Sequence, residues 1–537
     1  MIKSLSIFLY IFAIFQICIS TDQIYVDSSK SYSLACGSTL DLACSDILSG
    51  LAAYGNLESK SDSLILSLVG GVYSGTNNSF INILNQDITI TSLNSNSLAT
   101  IDLQFLNSFI SIKDVSATGN TNTNLTLSNL NIINGNSSTN GTVVNISTQW
   151  TPTLLTFDSV YVAGNLAFEG YGGVIYVQTS VANTKIVLTN STFFNNTAYL
   201  GAVYYSETQG QLEISKSVIK NNVGVITGIV DAYQTSVSVT NSTVAYNLGR
   251  SAIFTFISNV GTVEVSNLIA YNNSLRSNWD GGFIQANENN LSVLDSDFQW
   301  NSGSAVIYFE TEGSGSYQLL VGTSVFNETM GSRYGGAIYV CGGSSNIYNS
   351  SFIENYSIYN GGAIYYSDTL QANATNLIFI NNQVGVGNGS SIYTNNATVN
   401  YFDNLSFINS NNITTAMYCN SSSIYLNNIT NDNVTPLISC DSTKPSDQCT
   451  IHSSNNAIGQ QCNSQVNSSD NNNNNSSEHH NNNNSSGDNK KPKKKGLTSA
   501  QIGGIAAGSA VGAAAIVLGV YIIHKRHHNR NKYKSYY

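Results

Sequence analysis

The chain of 537 residues is short of charge, of proline and of histidine. Charged residues make up 10% of it, there are 4 prolines, and the first histidine is His452. The lack of histidine rules out imidazole acid–base chemistry over most of the chain, and no Cys/His grouping or Cys-x-x-Cys pair suggests zinc or redox chemistry. No metal and no cofactor are therefore expected. The scarcity of proline leaves long stretches free to pair as strands. Asn, Ser and Thr supply most of the polarity. Of the 21 Lys and Arg, one lies in the first 20 residues and ten lie in two clusters near the C-terminus, so residues 21–489 hold 10 of them. All 31 Asp and Glu fall in that span, giving it a net charge of about −21. Such a surface is a poor match for nucleic acid.

The two ends carry targeting signals. Lys3 is followed by an apolar run over residues 5–19, and Cys18-Ile19-Ser20 has the small residues of a cleavage site. This predicts a signal peptide over residues 1–20. A second apolar run, residues 502–523, contains no charge, and its 22 residues rise about 33 Å as a helix, enough to cross a bilayer. Five basic residues flank each side, so charge alone does not orient it, and the signal peptide places the C-terminus in the cytosol. A GPI signal would end the chain with its apolar tail, whereas 14 polar residues follow here. The expectation is a single-pass type I protein of the cell membrane, with a span over 497–523 and a basic tail over 524–537. Gly504, Gly508 and Gly512 share one face of that span and allow a homodimer through it.

Export would expose the Asn-x-Ser/Thr acceptors to glycosylation. Asn124, Asn145, Asn190, Asn241, Asn327, Asn373, Asn404 and Asn428 are expected to carry glycan. Export would also favour disulfides. Cys36 and Cys44 sit close together, while Cys419, Cys440, Cys449 and Cys462 cluster downstream and allow three pairings. Cys341 is left as a buried thiol.

Internal repetition decides the architecture. An apolar residue followed three positions later by Asn recurs at Phe193/Asn196, Ile219/Asn222, Val244/Asn247, Ile269/Asn272, Phe298/Asn301, Phe352/Asn355 and Phe379/Asn382, with Phe326 and Phe407 in the same series. Between these copies runs a Gly-Gly-Ala-Ile-Tyr motif, seen at residues 335–339 and 361–365 and, with Val174 in place of Ala, at 172–176. A period near 27 residues, with short β-prone runs and glycine turns, describes one coil of a solenoid. The expected fold is all-β: a parallel β-helix over 64–440, preceded by a cap over 21–63 and followed by an Asn/Ser-rich stalk over 441–496. Leu40, Cys44, Ile47, Leu48 and Leu51 have helical spacing and suggest a helix in the cap. Ile175, Val203, Ile253, Ile284, Ile307, Ile338, Ile364 and Ile392 are expected to stack inside. The Asn column should lie in a buried corner, so the acceptors Asn272 and Asn355 are expected to stay unmodified.

The paired GGAI and FxxN motifs resemble the repeats of bacterial polymorphic outer membrane proteins. The stretches Cys36-Gly37, Cys44-Ser45-Asp46-Ile47, Gly70-Gly71-Val72-Tyr73 and Ile88-Thr89-Ile90 resemble the start of pectin-lyase-like right-handed β-helix domains. The first resemblance implies adhesion, and the second implies polysaccharide lyases and hydrolases. The chain departs from both. It has a helical span in place of the bacterial β-barrel, and it lacks the Gly-His-Gly motif of polygalacturonase-like enzymes.

Two sets of side chains are candidates for chemistry or binding. Asp295 and Asp297, two residues apart on one strand, would hold carboxylates roughly 7 Å apart, within the range of inverting glycosidases, with Arg276 and Asp280 one coil away. The commoner reading is two solvated acids, and no catalytic role is expected. If Ile338 points in, Tyr339 points out. Tyr176, Tyr204, Phe254, Tyr308, Tyr339, Tyr365, Tyr393 and Tyr418 would then form an exposed aromatic ladder for a cell-surface protein or a glycan. Together these features favour a non-catalytic surface glycoprotein that presents a rod for adhesion or recognition. The alternative is a polysaccharide-binding or weakly lytic surface protein.

Overall fold

The computed structural model describes residues 21–453, apart from 34, 107, 115–120, 139, 259–260, 277–280, 313–315, 409–414, 433–435 and 441–448. The expected signal peptide, most of the stalk, the membrane span, the tail, Cys462 and Asp280 lie outside the described residues. Among the described residues no helix is long and apolar enough to cross a membrane.

One coil shows how the sequence becomes a solenoid. Ile175–Thr179 forms a strand, a turn leads to Lys185–Thr189, and a corner leads to Thr192–Phe194. The short strand Thr197–Leu200 then returns the chain to Tyr204–Ser206, which lies on Ile175–Thr179 in parallel register. Among the described residues this path generates three parallel sheets of 28, 14 and 9 strands. The fourteen-stranded sheet takes one strand per coil, giving 13 steps of about 4.8 Å. The result is a parallel β-solenoid.

Alternation puts every second residue inside. In the fourteen-stranded sheet the inward column reads Ile81, Ile110, Val144, Ile175, Tyr204, Val230, Phe254, then Ile284, Ile307, Ile338, Ile364, Ile392 and Met417. Tyr204 and Phe254 therefore occupy it, while Val203 and Ile253, one position earlier, are fully buried as expected but outside this column. The Phe column stacks face to face: Phe298, Phe326, Phe352, Phe379 and Phe407 have ring centroids 5.0–5.1 Å apart.

The corner after this column is polar yet buried, because an amide ladder satisfies it. Nδ2 of Asn165 donates to Oδ1 of Asn196 (2.9 Å), and the pattern continues through Asn222, Asn247, Asn273 and Asn301. Asn355 and Asn382 repeat it, with Thr329 donating to Asn355. Each asparagine Oδ1 also accepts from the backbone N–H one coil back, as Asn222 does from Asn196. Here the sequence expectation slips by one residue. Ala270 fills the Phe column and Asn273 the ladder, while Ile269 is 50% exposed and Asn272 lies outside the ladder. The bulkier Ile269 suggested the inward position. The ladder overrides it, and a one-residue shift exchanges the faces.

The GGAI glycines have a steric role. At Gly335 and Gly361 φ is +63° and +65°, and a Cβ would lie 2.2–2.3 Å from the carbonyl oxygen of Ile338 or Ile364. A Cβ at Gly336 would lie 2.2 Å from the Gly362 oxygen of the next coil.

At the N-terminal end, strand Thr21–Val26 already pairs with Ser63–Leu68. The helix spans Ile47–Gly55, capped by Asp46, which accepts from the Ser49 N–H at 2.8 Å. Leu40 and Cys44 precede it. Leu40 is exposed, and Cys44 is fixed by its disulfide to Cys36 and its bridge to Val26. A second disulfide joins Cys419 and Cys449. Cys440 is also disulfide-bonded. Cys341 is free and half-buried rather than buried, and burial pushes its thiol up.

Candidate recognition surface

The outward column of the fourteen-stranded sheet runs Asn145, Tyr176, Tyr205, Asp231, Thr255, Gln285, Tyr308, Tyr339, Tyr365, Tyr393 and Tyr418. Two members of the expected ladder are not in it. Tyr204 and Phe254 point inward, and Tyr205 and Thr255 take their places, because the register pairs Tyr204 with Ile175 and Phe254 with Ile284. The remaining tyrosines are together but not displayed. Tyr308, Tyr339, Tyr365, Tyr393 and Tyr418 stack at centroid separations of 4.7, 5.5, 5.1 and 5.2 Å, within 10° of parallel. Tyr339, Tyr365 and Tyr393 have a ring on each face, and Tyr334 packs beside Tyr365 at 4.8 Å. Tyr308, Tyr365 and Tyr393 are buried. Burial pushes the Tyr339 and Tyr365 hydroxyls well above the usual range, so they stay protonated and cannot serve as bases. Tyr176, held at about 12 by the same cause, stacks on Tyr205 at 6.0 Å.

The stack is interrupted by Asp231, which is fully buried although it lies in the outward column. Thr227 donates to its Oδ2. Burial raises its pKa to about 6, against opposing hydrogen bonds from Thr227, Thr255 and the backbone of Gly228 and Gly201. Nothing in the composition distinguishes this aspartate from its exposed counterparts.

Asp295 and Asp297 do not share a strand. Asp295 occupies a corner with φ +50°, the corner at which Asn190, Asn241, Asn376 and Asn404 sit in other coils, and Asp tolerates left-handed backbone for the same reason Asn does. Asp297 begins the next strand, and its Oδ2 accepts from Nε2 of Gln299 at 2.6 Å. Arg276 follows a strand of the nine-stranded sheet, and no ion pair joins it to either aspartate among the described residues. Among the described residues no group of three or more His, Cys, Asp and Glu comes together.

An aromatic surface without a motif in the sequence lies on the outer face of the twenty-eight-stranded sheet. Register aligns Tyr401, Tyr425 and His452 in consecutive coils. Their rings stack at 4.9 and 4.4 Å. Tyr401 is 46% and Tyr425 38% exposed. With Asp403, Asn427 and Ser453 they line an open concavity of about 350 Å³. Oδ1 of Asp403 accepts from Nδ2 of Asn427 (2.8 Å) and of Asn428 (3.1 Å), which fixes a carboxylate beside the rings. A spacing of 24 and 27 residues between three aromatic residues was the available signal.

Comparison with known proteins adds fold-level likeness alone. No family model matches the chain. No curated protein matches it. Among solved structures it is similar to a rhamnogalacturonan lyase at 10% identity, covering 70% of this chain and 87% of that one, with a TM-score of 0.32. It is similar to a lacto-N-biosidase from Eubacterium ramulus at 11% identity, covering 80% and 68%, with a TM-score of 0.29. The A-module of a mannuronan C-5 epimerase from Azotobacter vinelandii matches at 10% identity over 70% and 91%, with a TM-score of 0.29. Scores of this size carry no argument about activity, and the assignment as a β-solenoid rests on the strand register itself.

The eight expected glycan acceptors all lie outside the core. Asn190, Asn241, Asn404 and Asn428 are exposed at left-handed corners, and Asn124, Asn145, Asn327 and Asn373 are half-buried on strands.

Proposed function

We propose that this chain is an exported, membrane-anchored glycoprotein whose right-handed solenoid presents a non-catalytic surface for adhesion or recognition. The observation that carries the proposal is the exposed Tyr401–Tyr425–His452 row beside Asp403, built on strands whose register fixes every ring. Rings with polar hydroxyl and imidazole groups, set next to a positioned carboxylate and amides, suit a glycan or a polar protein surface. The tyrosines of the fourteen-stranded sheet support the rod through stacking. The separation of Asp295 from Asp297 by a corner favours recognition over hydrolysis.

The test is binding of the glycosylated chain to whole cells and to a panel of polysaccharides, comparing the parent with Tyr401→Ser and Tyr425→Ser. Both residues are solvent-facing, so the variants should fold. A drop in affinity of at least tenfold is expected. Equal binding by parent and variants would remove the site. The second reading, a polysaccharide-degrading protein, predicts polymer cleavage that disappears in Asp297→Asn.

A further inference from the structure

One corner of the solenoid carries a residue in left-handed backbone in each coil, and in five consecutive coils these are Asn195, Asn221, Tyr246, Asn272 and Trp300. The Tyr246 N–H donates to the Tyr271 oxygen and the Asn272 N–H to the Gln299 oxygen, which sets the three residues 246, 272 and 300 one coil apart. Asn and Gly adopt this backbone readily, whereas Tyr and Trp have no such ease. Tyr246 and Trp300 nevertheless hold it, and each is 48% exposed. They flank the one residue of the three that belongs to an acceptor sequence, Asn272-Asn273-Ser274.

Asn272 differs from other acceptors at corners. Nδ2 of Asn190 donates to Asp158 at 3.0 Å, and Nδ2 of Asn404 donates to Asn376 at 2.7 Å. The Asn272 amide makes no hydrogen bond among the described residues. Its neighbour Asn273 supplies the buried ladder, so a substituent on Asn272 disturbs nothing inside. A sugar ring with an aromatic ring on each side needs about 8 Å between them. Two coil steps set the backbone positions of Tyr246 and Trp300 about 9.6 Å apart. Lys220 and Tyr271 hold the Tyr246 ring, at 5.2 and 5.4 Å from its centroid.

We infer that Asn272 carries an N-linked glycan whose first sugars are held between Tyr246 and Trp300. This rests on the export proposed above. The co-reactant is a lipid-linked oligosaccharide. A bond forms between Nδ2 and the sugar C1, the bond from C1 to the lipid pyrophosphate breaks, and the Nδ2 proton leaves as the pyrophosphate departs. Asn195, in Asn195-Asn196-Thr197, is an internal control, because Gly164 and Asn221 flank it in the same row.

The experiment is to express the full chain in a eukaryotic secretory host, map acceptor occupancy by mass spectrometry, and measure melting. Asn272 should be occupied. Asn272→Gln should lower Tm by roughly 1–3 °C. In a Tyr246→Gly/Trp300→Gly background, where glycine fits the corner without strain, the same change should cost less than half as much. Asn195→Gln should act equally in both backgrounds. A bare Asn272 in a chain glycosylated at Asn195 and Asn124 overturns the inference, as does an equal Tm loss in both backgrounds. A chain bare at every acceptor overturns the proposed export instead, and the inference falls with it.

Discussion

Asp231 is a carboxyl group buried in an outward column, and its folded-state pKa of about 6 exceeds the ordinary 3.8. The folded chain therefore binds its proton more tightly than the unfolded chain does. The stability linked to this group is fully present below pH 3.8 and is lost as pH rises through 6. Asp231→Asn removes a charge that is costly at neutral pH and should stabilise the protein at pH 7 by on the order of 2 kcal/mol. Urea unfolding at pH 7 and at pH 3.5 checks this, with the gain expected at the higher pH alone. Asn355 makes the opposite case. Its Nδ2 donates to the Phe326 oxygen (3.0 Å) and to Asn382 (2.9 Å), so the amide has no hydrogen left for a glycan. Asn355→Ala strands those partners and should cost about 3 kcal/mol. At this scale the sequence was a partial guide. The repeat located Asn355, Asn196 and Asn222 in the ladder, because Phe and Asn were both present at the right spacing. It misplaced Asn272, because two adjacent asparagines and a small Ala270 leave the register to be decided by partners in neighbouring coils. Asp231 carried no local signal at all, since its burial comes from the coil around it.

Among the elements, the Phe stack and the glycine turns do the most to fix coil against coil. Phe326 touches a ring on each side at 5.1 Å and is fully buried. Phe326→Ala should destabilise the solenoid by about 3–5 kcal/mol, read as a lower midpoint in denaturant. Gly336→Val meets the Gly362 backbone oxygen and should prevent those coils from closing, seen as loss of soluble full-length protein. Both features were legible, because a recurring Phe and a recurring Gly-Gly pair announce themselves by period. The tyrosine column was legible as a column and not as a surface. Alternation tells which way Tyr339 points, whereas stacking of Tyr308, Tyr339 and Tyr365 depends on a 4.8 Å step that turns faces toward one another. The Tyr401–Tyr425–His452 row lies in coils where the GGAI and FxxN motifs fade, so the period did not reach it.

For the whole molecule, the register of 14 successive strands makes one continuous core from Ile81 to Ile438. Such a stack depends on its ends, where a strand edge has no further coil to pair with. The Cys36–Cys44 disulfide and the helix Ile47–Gly55 cover the first coil. Replacing both cysteines with Ser should lower stability by about 2 kcal/mol and promote self-association, measured by light scattering on warming. The proposed function requires that this rod recognise a surface. The most direct measurement coats beads with the glycosylated chain and tests them alone, with whole cells, and with free chain as competitor. Saturable binding to cells or to other coated beads, abolished by the competitor, is expected. Beads that stay dispersed and bind no cell at any concentration would contradict it.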